Sequence, residues 1–283
     1  MPEGDTVWLV AQNLDRTLGR ERLTRTDFRV PQLATTDLSG RAVLGVVPRG
    51  KHLLLRVEGG LTVHSHLRMD GAWHLHRPGT RWTGGPDHEV RVVLSTAEWD
   101  AIGYRLPVLE ILETAREGDV VGHLGPDLLD PAFDRDEAVR RLLAAPDREI
   151  GQALLDQANL AGIGNIYKAE SLFLQRISPW ARVADVDDLG ALVDRARRLL
   201  EANRTHASQS TTGDPRPGRE HWVYGRGARA CRRCGGRVAA ALQGDPPYDR
   251  VTWWCPTCQP GPGPSPQGPG RRPTQARRGP RPG

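Results

Sequence analysis

The chain has 283 residues, 38% of them hydrophobic, with 39 basic against 34 acidic side chains. That length suits two modest domains plus an appendage, since domains usually run to about 100–150 residues. There is no unbroken apolar run of about 20 residues to span a membrane and no basic start followed by an apolar stretch to act as a signal peptide, so the expected location is the cytoplasm. The basic excess is local: residues 271–283 hold five Arg and no acid, which leaves 34 basic against 34 acidic side chains over the other 270 residues.

From Thr6 to about Leu18, apolar Val7, Val10, Ala11, Leu14 and Leu18 recur at helical spacing, with Asp5 or Thr6 available as the cap. Between about Arg41 and Tyr104 the pattern becomes short and β-branched. Residues 42–47, 53–57, 61–66, 89–95 and 99–104 read as strands of an antiparallel sandwich or barrel, separated by Gly/Pro punctuation. Helical periodicity returns over 137–145, 149–157, 166–175 and 187–203, each with an amphipathic face. A β-rich half followed by an α-rich half implies two domains with a boundary near Pro126–Pro131 and a cleft between them.

Two features of the basic residues stand out. Only Lys51 and Lys168 among the 39 are lysine. Lysine can exchange a proton where arginine cannot, so a retained lysine marks either a site for proton transfer or a chance survivor on the surface. Between Arg216 and Arg237 seven arginines face only Glu220, a pattern that fits a phosphate-binding surface or a solvated face.

Residues 205–220 read as a polar connector that could order on binding. Next, Cys231-x2-Cys234 and Cys255-x2-Cys258 enclose 20 residues, enough for a β-hairpin that returns the second pair to the first. In a cytosolic chain this spacing points to one structural zinc ion with four thiolate ligands rather than to disulfides or free thiols. Arg250, five residues before Cys255, could project a guanidinium toward a phosphate or simply face solvent. From Gln259 the last 25 residues carry eight Pro and six Gly, too little apolar surface to fold, so a disordered basic tail is expected there.

Gly162 and Gly164 separate two helical runs, and the second run begins near Asn165 with free N–H groups able to meet a phosphate. Helical turns with glycines are also common as plain structure. At the other end, a small second residue allows Met1 to be removed and leaves Pro2 with a free secondary amine. Such an amine titrates near pH ~7.7–8.0, lower beside a helix N-terminus, and is partly nucleophilic at neutral pH.

Five motifs then occur in order: Pro2-Glu3-Gly4, Arg49-Gly50-Lys51-His52-Leu53-Leu54, Ser65-His66-Leu67-Arg68-Met69-Asp70-Gly71, Gly162-Ile163-Gly164-Asn165 and Trp254-Cys255-Pro256-Thr257-Cys258-Gln259. Together they resemble the formamidopyrimidine-DNA glycosylase/endonuclease VIII family over about residues 2–259. The resemblance implies an α+β chain: an N-terminal antiparallel β-sandwich with a flanking helix (2–125), a helical domain with a helix-two-turn-helix element (130–204), a four-cysteine zinc finger (221–259) and the tail (260–283).

It also implies roles: Pro2 as the nucleophile that forms a Schiff base at C1′ of a damaged nucleotide, Glu3 as acid/base, and Lys51 as proton donor and phosphate contact. Asn165 and Arg250 would grip phosphates, with Arg250 also serving the second elimination, and His66, Arg68 and Met69 would meet DNA, the last two filling the gap left by the extruded nucleotide. The expected activity is that of a monomeric bifunctional DNA glycosylase/AP lyase acting on damaged double-stranded DNA, nucleoid-associated in a bacterium.

Ile102-Gly-Tyr-Arg-Leu-Pro107 stands where the oxidised-purine branch carries Asp-Pro-Arg-Arg-Phe, and Gly4 stands where that branch has leucine. Both departures favour oxidised pyrimidines. Asp5-Thr6 replaces the commoner Pro-Glu, and His123 occupies the place of an expected arginine contact. The competing classes are a non-catalytic zinc-dependent DNA-binding protein, which has no use for a processed Pro2, and an RNA-binding protein, for which an aromatic-rich strand is missing.

Overall fold

The computed structural model describes residues 2–264. Helix α1 (Gly4–Leu18) buries Val7, Ala11, Leu14 and Leu18 against two four-stranded antiparallel sheets. One sheet has the order β2 (Val43–Arg49), β3 (His52–Val57), β4 (Leu61–His66), β8 (Val108–Glu113); the other has the order β1 (Arg25–Phe28), β6 (Val90–Ser95), β7 (Asp100–Tyr104), β5 (Ala72–His76). Leu53, Leu55 and Val63 of the first and Phe28, Val92 and Leu94 of the second meet in one core, so the two sheets form the expected sandwich.

All three strands that hydrophobic pattern missed (β1, β5 and β8) lie at sheet edges. An edge strand keeps one rim in water, and β1 buries only Phe28 while β5 buries no residue fully. The fourth edge, β2, is shielded by α1 and was legible.

After the short α2 (Gly118–Val121), the helices α3 (Arg135–Leu143), α4 (Ile150–Leu155), α5 (Asn165–Leu174) and α6 (Leu189–Asn203) build a second core from Leu142, Leu154, Tyr167, Leu192 and Leu200. Asp134 and Asp188 cap α3 and α6 by accepting from the amides of Glu137 at 2.9 Å and Ala191 at 2.7 Å. Helix α5 departs from its expected amphipathic character: every residue from Asn165 to Phe173 is buried. Its polar side chains are buried with partners: Ser171 donates to the Tyr167 carbonyl one turn back, and Lys168 and Glu170 meet groups described below, so the polar positions of the repeat mark contacts instead of solvent.

The cysteine segment forms the expected hairpin, β9 (Ala239–Gln243) and β10 (Arg250–Trp254), packed on α5 through Phe173, Ala169 and Val223. Of the seven arginines of the Arg216–Arg237 cluster only Arg226 is half-buried; the other six are exposed, though several also brace the local backbone. Arg216 pairs with Asp214, Arg226 and Arg232 donate to backbone carbonyls, and Arg233 donates to the Phe173 carbonyl while lying over its ring. The expected tail lies outside the described residues from 265 on; within its first five residues, the Pro262 carbonyl accepts from Ser178 Oγ at 2.5 Å.

Candidate active site

Helix α1 begins at Gly4, ahead of the expected Thr6, because the residue before it is drawn across the molecule. The Glu3 carboxylate does not cap its own helix. It accepts from the amides of Gly164 at 2.8 Å and Ile166 at 2.7 Å, with Tyr167 at 3.4 Å, and so occupies the N-terminus of α5. The free amides expected there for a phosphate are therefore taken by residue 3, a carboxylate in the place a helix dipole favours.

The approach depends on glycine. A Cβ at Gly164 would lie 2.5 Å from Glu3 Cδ, and one at Gly4 would lie 3.0 Å from Gly162 Cα. Gly4 also donates to the Gly162 carbonyl at 2.8 Å.

Glu3 is fully buried, and burial raises its pKa to about 7 against the opposing pull of Lys51 and the Ile166 amide. A carboxyl poised near neutrality can both give and take a proton. Beside it, Asp5 accepts from Tyr167 Oη at 2.5 Å and from Gln209 Nε2 at 2.9 and 3.0 Å. Burial raises the pKa of Asp5 also, and the phenol of Tyr167 is pushed far above its ordinary range by burial and by Asp5. Pro2, partly exposed, sits directly before this buried carboxylate pair.

Lys51 comes from the tip of the β2–β3 hairpin, which is fixed to the helical half of the chain. Gly50 holds a left-handed φ of 56° and donates to Asp127 Oδ2 at 2.6 Å, while Arg49 pairs with Asp130 at 3.1 Å. Burial lowers the Lys51 pKa; Glu3 and Asp5 oppose that shift and Arg250 adds to it.

Lys168 is the second proton-exchanging lysine and the one that pattern left undecided. It is fully buried on α5, its ammonium donates to Thr252 Oγ1 at 2.6 Å, and burial lowers its pKa to about 7 against the attraction of Glu3. Asn165 Nδ2 donates to the Val251 carbonyl at 2.8 Å, so both residues tie α5 to β10. Arg250 opens β10 and is exposed; among the described residues its guanidinium hydrogen-bonds only the Asp249 carbonyl, yet its charge bears on both lysines.

His66 ends β4 and accepts from the Arg68 amide at 2.9 Å; burial, with Arg68 and Lys51 nearby, lowers its pKa to about 4. Arg68 takes a left-handed φ of 46°, and Met69 after it is 62% exposed, outside the core. Arg105 braces this loop by donating to the Asp70 carbonyl at 3.0 Å, a role with no signal in the sequence.

Farther along the hairpin the four cysteine sulfurs lie within 4.8 Å of one another, with Cys231–Cys258 at 3.9 Å and Cys234–Cys255 at 3.5 Å. A tetrahedral zinc ion with bonds of about 2.3 Å needs sulfurs about 3.8 Å apart, so the quartet fits a metal ion of that size.

The N-terminal domain model of formamidopyrimidine-DNA glycosylase matches residues 1–105, and the helix-two-turn-helix model of the same family matches residues 124–212. A "Probable endonuclease 8 2" of Streptomyces coelicolor is 57% identical over 270 residues, covering 95% of this chain and 97% of the relative. The chain belongs to the formamidopyrimidine-DNA glycosylase family. Another relative in this family, the "DNA-(apurinic or apyrimidinic site) lyase Nei2" of Mycolicibacterium smegmatis, is 46% identical over 92% of this chain and 99% of its own. The fold matches that of Lactococcus lactis formamidopyrimidine-DNA glycosylase, solved on DNA containing an abasic site, with a TM-score of 0.76 at 23% identity over 92% of this chain and all of that one.

The raised pKa of Glu3 sets a pH dependence for stability. The folded protein holds this proton more tightly than the unfolded chain, whose Glu titrates near 4.5, so the contribution is fully present below pH 4.5 and is lost as pH rises toward about 7. The slope is at most about 1.4 kcal/mol per pH unit across that window. Glu3→Gln removes it, so the Tm of the variant relative to wild type should rise between pH 5 and pH 8 in calorimetry. An equal difference at both pH values would contradict the shift.

Proposed function

We propose that this DNA glycosylase and AP lyase of base-excision repair removes oxidised bases, pyrimidines by preference, from double-stranded DNA through a covalent imine on the Pro2 nitrogen. The observation that carries the reading is the placement of Pro2 directly before a buried carboxyl that titrates near neutrality. The Pro2 nitrogen donates its electron pair to C1′ as the base leaves with the pair of the glycosidic bond, and Glu3 protonates the sugar oxygen as the ring opens. The resulting iminium acidifies the neighbouring sugar carbons. β-Elimination and then δ-elimination expel the two flanking phosphates and leave a gapped strand.

Lys51 and Arg250 supply positive charge to the departing phosphates, and Asn165 aligns the strand. His66 contacts the strand, and Arg68 and Met69 enter the space vacated by the extruded nucleotide. Gly4 favours pyrimidines indirectly: it is the residue that lets α1 abut Gly162, and the purine branch places a leucine there. The domains are read as 2–125, 130–204 and 221–259. One zinc ion on Cys231, Cys234, Cys255 and Cys258 is structural, all four positions being filled by thiolates. The protein is read as a monomer that works in the cytoplasm on chromosomal DNA.

Borohydride reduction in the presence of abasic-site DNA should yield a covalent complex with wild type and none with Pro2→Gly; an undiminished adduct in the variant would overturn the nucleophile. Stripping zinc with a chelator should weaken binding to an uncleavable abasic analogue at least tenfold, read by fluorescence anisotropy, because Arg250 and the Val251 contact to Asn165 ride on the hairpin. Unchanged affinity after verified zinc loss would contradict the presentation role.

A further inference from the structure

The polar face of the β3–β4–β8 sheet carries titratable groups that the proposed chemistry does not use. Register places His52 opposite His66 and His64 opposite Glu110. The His64 ring, almost wholly buried, has Nδ1 2.7 Å from Glu110 Oε1 and Nε2 2.8 Å from His52 Nδ1. The His52 ring stacks on His64 at 5.0 Å and meets the rings of His66 at 4.9 Å and His123 at 6.2 Å edge-on.

The tautomers follow from one constraint. An ionised carboxylate only accepts, so His64 Nδ1 carries a proton and donates it to Glu110. In a neutral His64 the Nε2 must then accept, so His52 Nδ1 is the donor and His52 Nε2 is left with a free electron pair. The order is fixed from the half-exposed Glu110 inward to a proton acceptor at the residue after Lys51.

We propose that the Glu110–His64–His52 chain is a proton conduit that couples DNA binding to proton uptake, a positioning device for charge beneath the strand-facing imidazoles. It rests on the reading of His66, Arg68 and Lys51 as the strand-facing groups. A proton bound at His52 Nε2 lets the Nδ1 proton of that ring pass to His64 Nε2. His52 is then neutral in its other tautomer, and the added charge resides on a His64 imidazolium against the Glu110 carboxylate. No bond other than N–H is made or broken, and one proton from solvent is gained.

Without DNA the His52 imidazole is neutral at pH 7. Burial and the neighbouring His66, His64, His123 and Arg68 push the His52 pKa down to about 3. Lys51 faces His66, and Glu117 faces His64 from beyond Thr62. A phosphate brought to Lys51, His66 and Arg68 offsets the Arg68 charge that, with burial, holds His52 neutral, which raises its proton affinity, and Glu110 stabilises the charge once it has moved inward.

The test uses the full-length zinc-loaded protein and a duplex with a tetrahydrofuran abasic analogue. Protons taken up on binding at pH 6 are counted by isothermal titration in buffers of different ionisation enthalpy, for wild type, Glu110→Gln and His64→Leu. Glutamine still accepts from His64 but carries no charge, and Glu3, His66 and His123 are retained in each variant, so the difference isolates the chain. Wild type should take up more protons than either variant, and its affinity should gain several-fold more than theirs between pH 7.5 and pH 6, with a ceiling of about tenfold per proton per pH unit. Equal proton counts in wild type and Glu110→Gln, with Tm and zinc content unchanged, would overturn the conduit. Failure of wild type to bind the duplex at all would instead overturn the DNA-binding reading beneath it.

Discussion

A carboxylate from residue 3 seated on the amides of residues 164–167 is the constraint on which the rest of this structure depends. A chain terminus is ordinarily among the most mobile parts of a protein. Here it is drawn into the interior because an anion at a helix N-terminus satisfies donors that would otherwise be orphaned. The cost is a buried charge, and the raised pKa of Glu3 is the signature of that cost. Only glycine at positions 4 and 164 leaves room for the approach, which makes those two residues as much a part of the site as the carboxyl they admit.

Helix α5 acts as the hub that turns this local contact into a site. Its first turn receives Glu3, while Tyr167 holds Asp5 and, through Asp5, Gln209 of the polar connector. Lys168 and Asn165 reach β10 through Thr252 and Val251. Glu170, one turn on, accepts from the amides of Trp222, Val223 and Tyr224 and from Thr211, and so fixes the segment that leads into the cysteines. The amine-bearing terminus, the connector and the metal hairpin are thus all referenced to ten residues of one buried helix. Lys51 arrives from the opposite side on a hairpin locked to Asp127 and Asp130, so the Glu3 carboxyl and its counter-charge belong to different layers of the fold.

Much of this was legible in residue pattern, and the parts that were not share a physical cause. The central strands, five helices and the cysteine hairpin announce themselves through period and spacing, and the structure brings Glu3, Lys51 and Arg250 into one charge cluster. Strands β1, β5 and β8 escaped because an edge strand has no need of two apolar faces. The polar positions of α5 misled because a buried lysine or glutamate with partners is indistinguishable, in a one-dimensional pattern, from one facing water. The Glu110–His64–His52 chain escaped for a related reason: its members lie 12 and 46 residues apart, and only strand register brings them into line.

The central claim is that the terminal imino nitrogen, not one of the two retained lysines beside it, is the group that bonds to the sugar. Peptide mapping of the borohydride-reduced complex tests this most directly, because Pro2, Lys51 and Lys168 fall in different proteolytic fragments. The account predicts the deoxyribose mass increment on a fragment that begins at Pro2. The same increment on a fragment containing Lys51 or Lys168, with the Pro2 fragment unmodified, would contradict it.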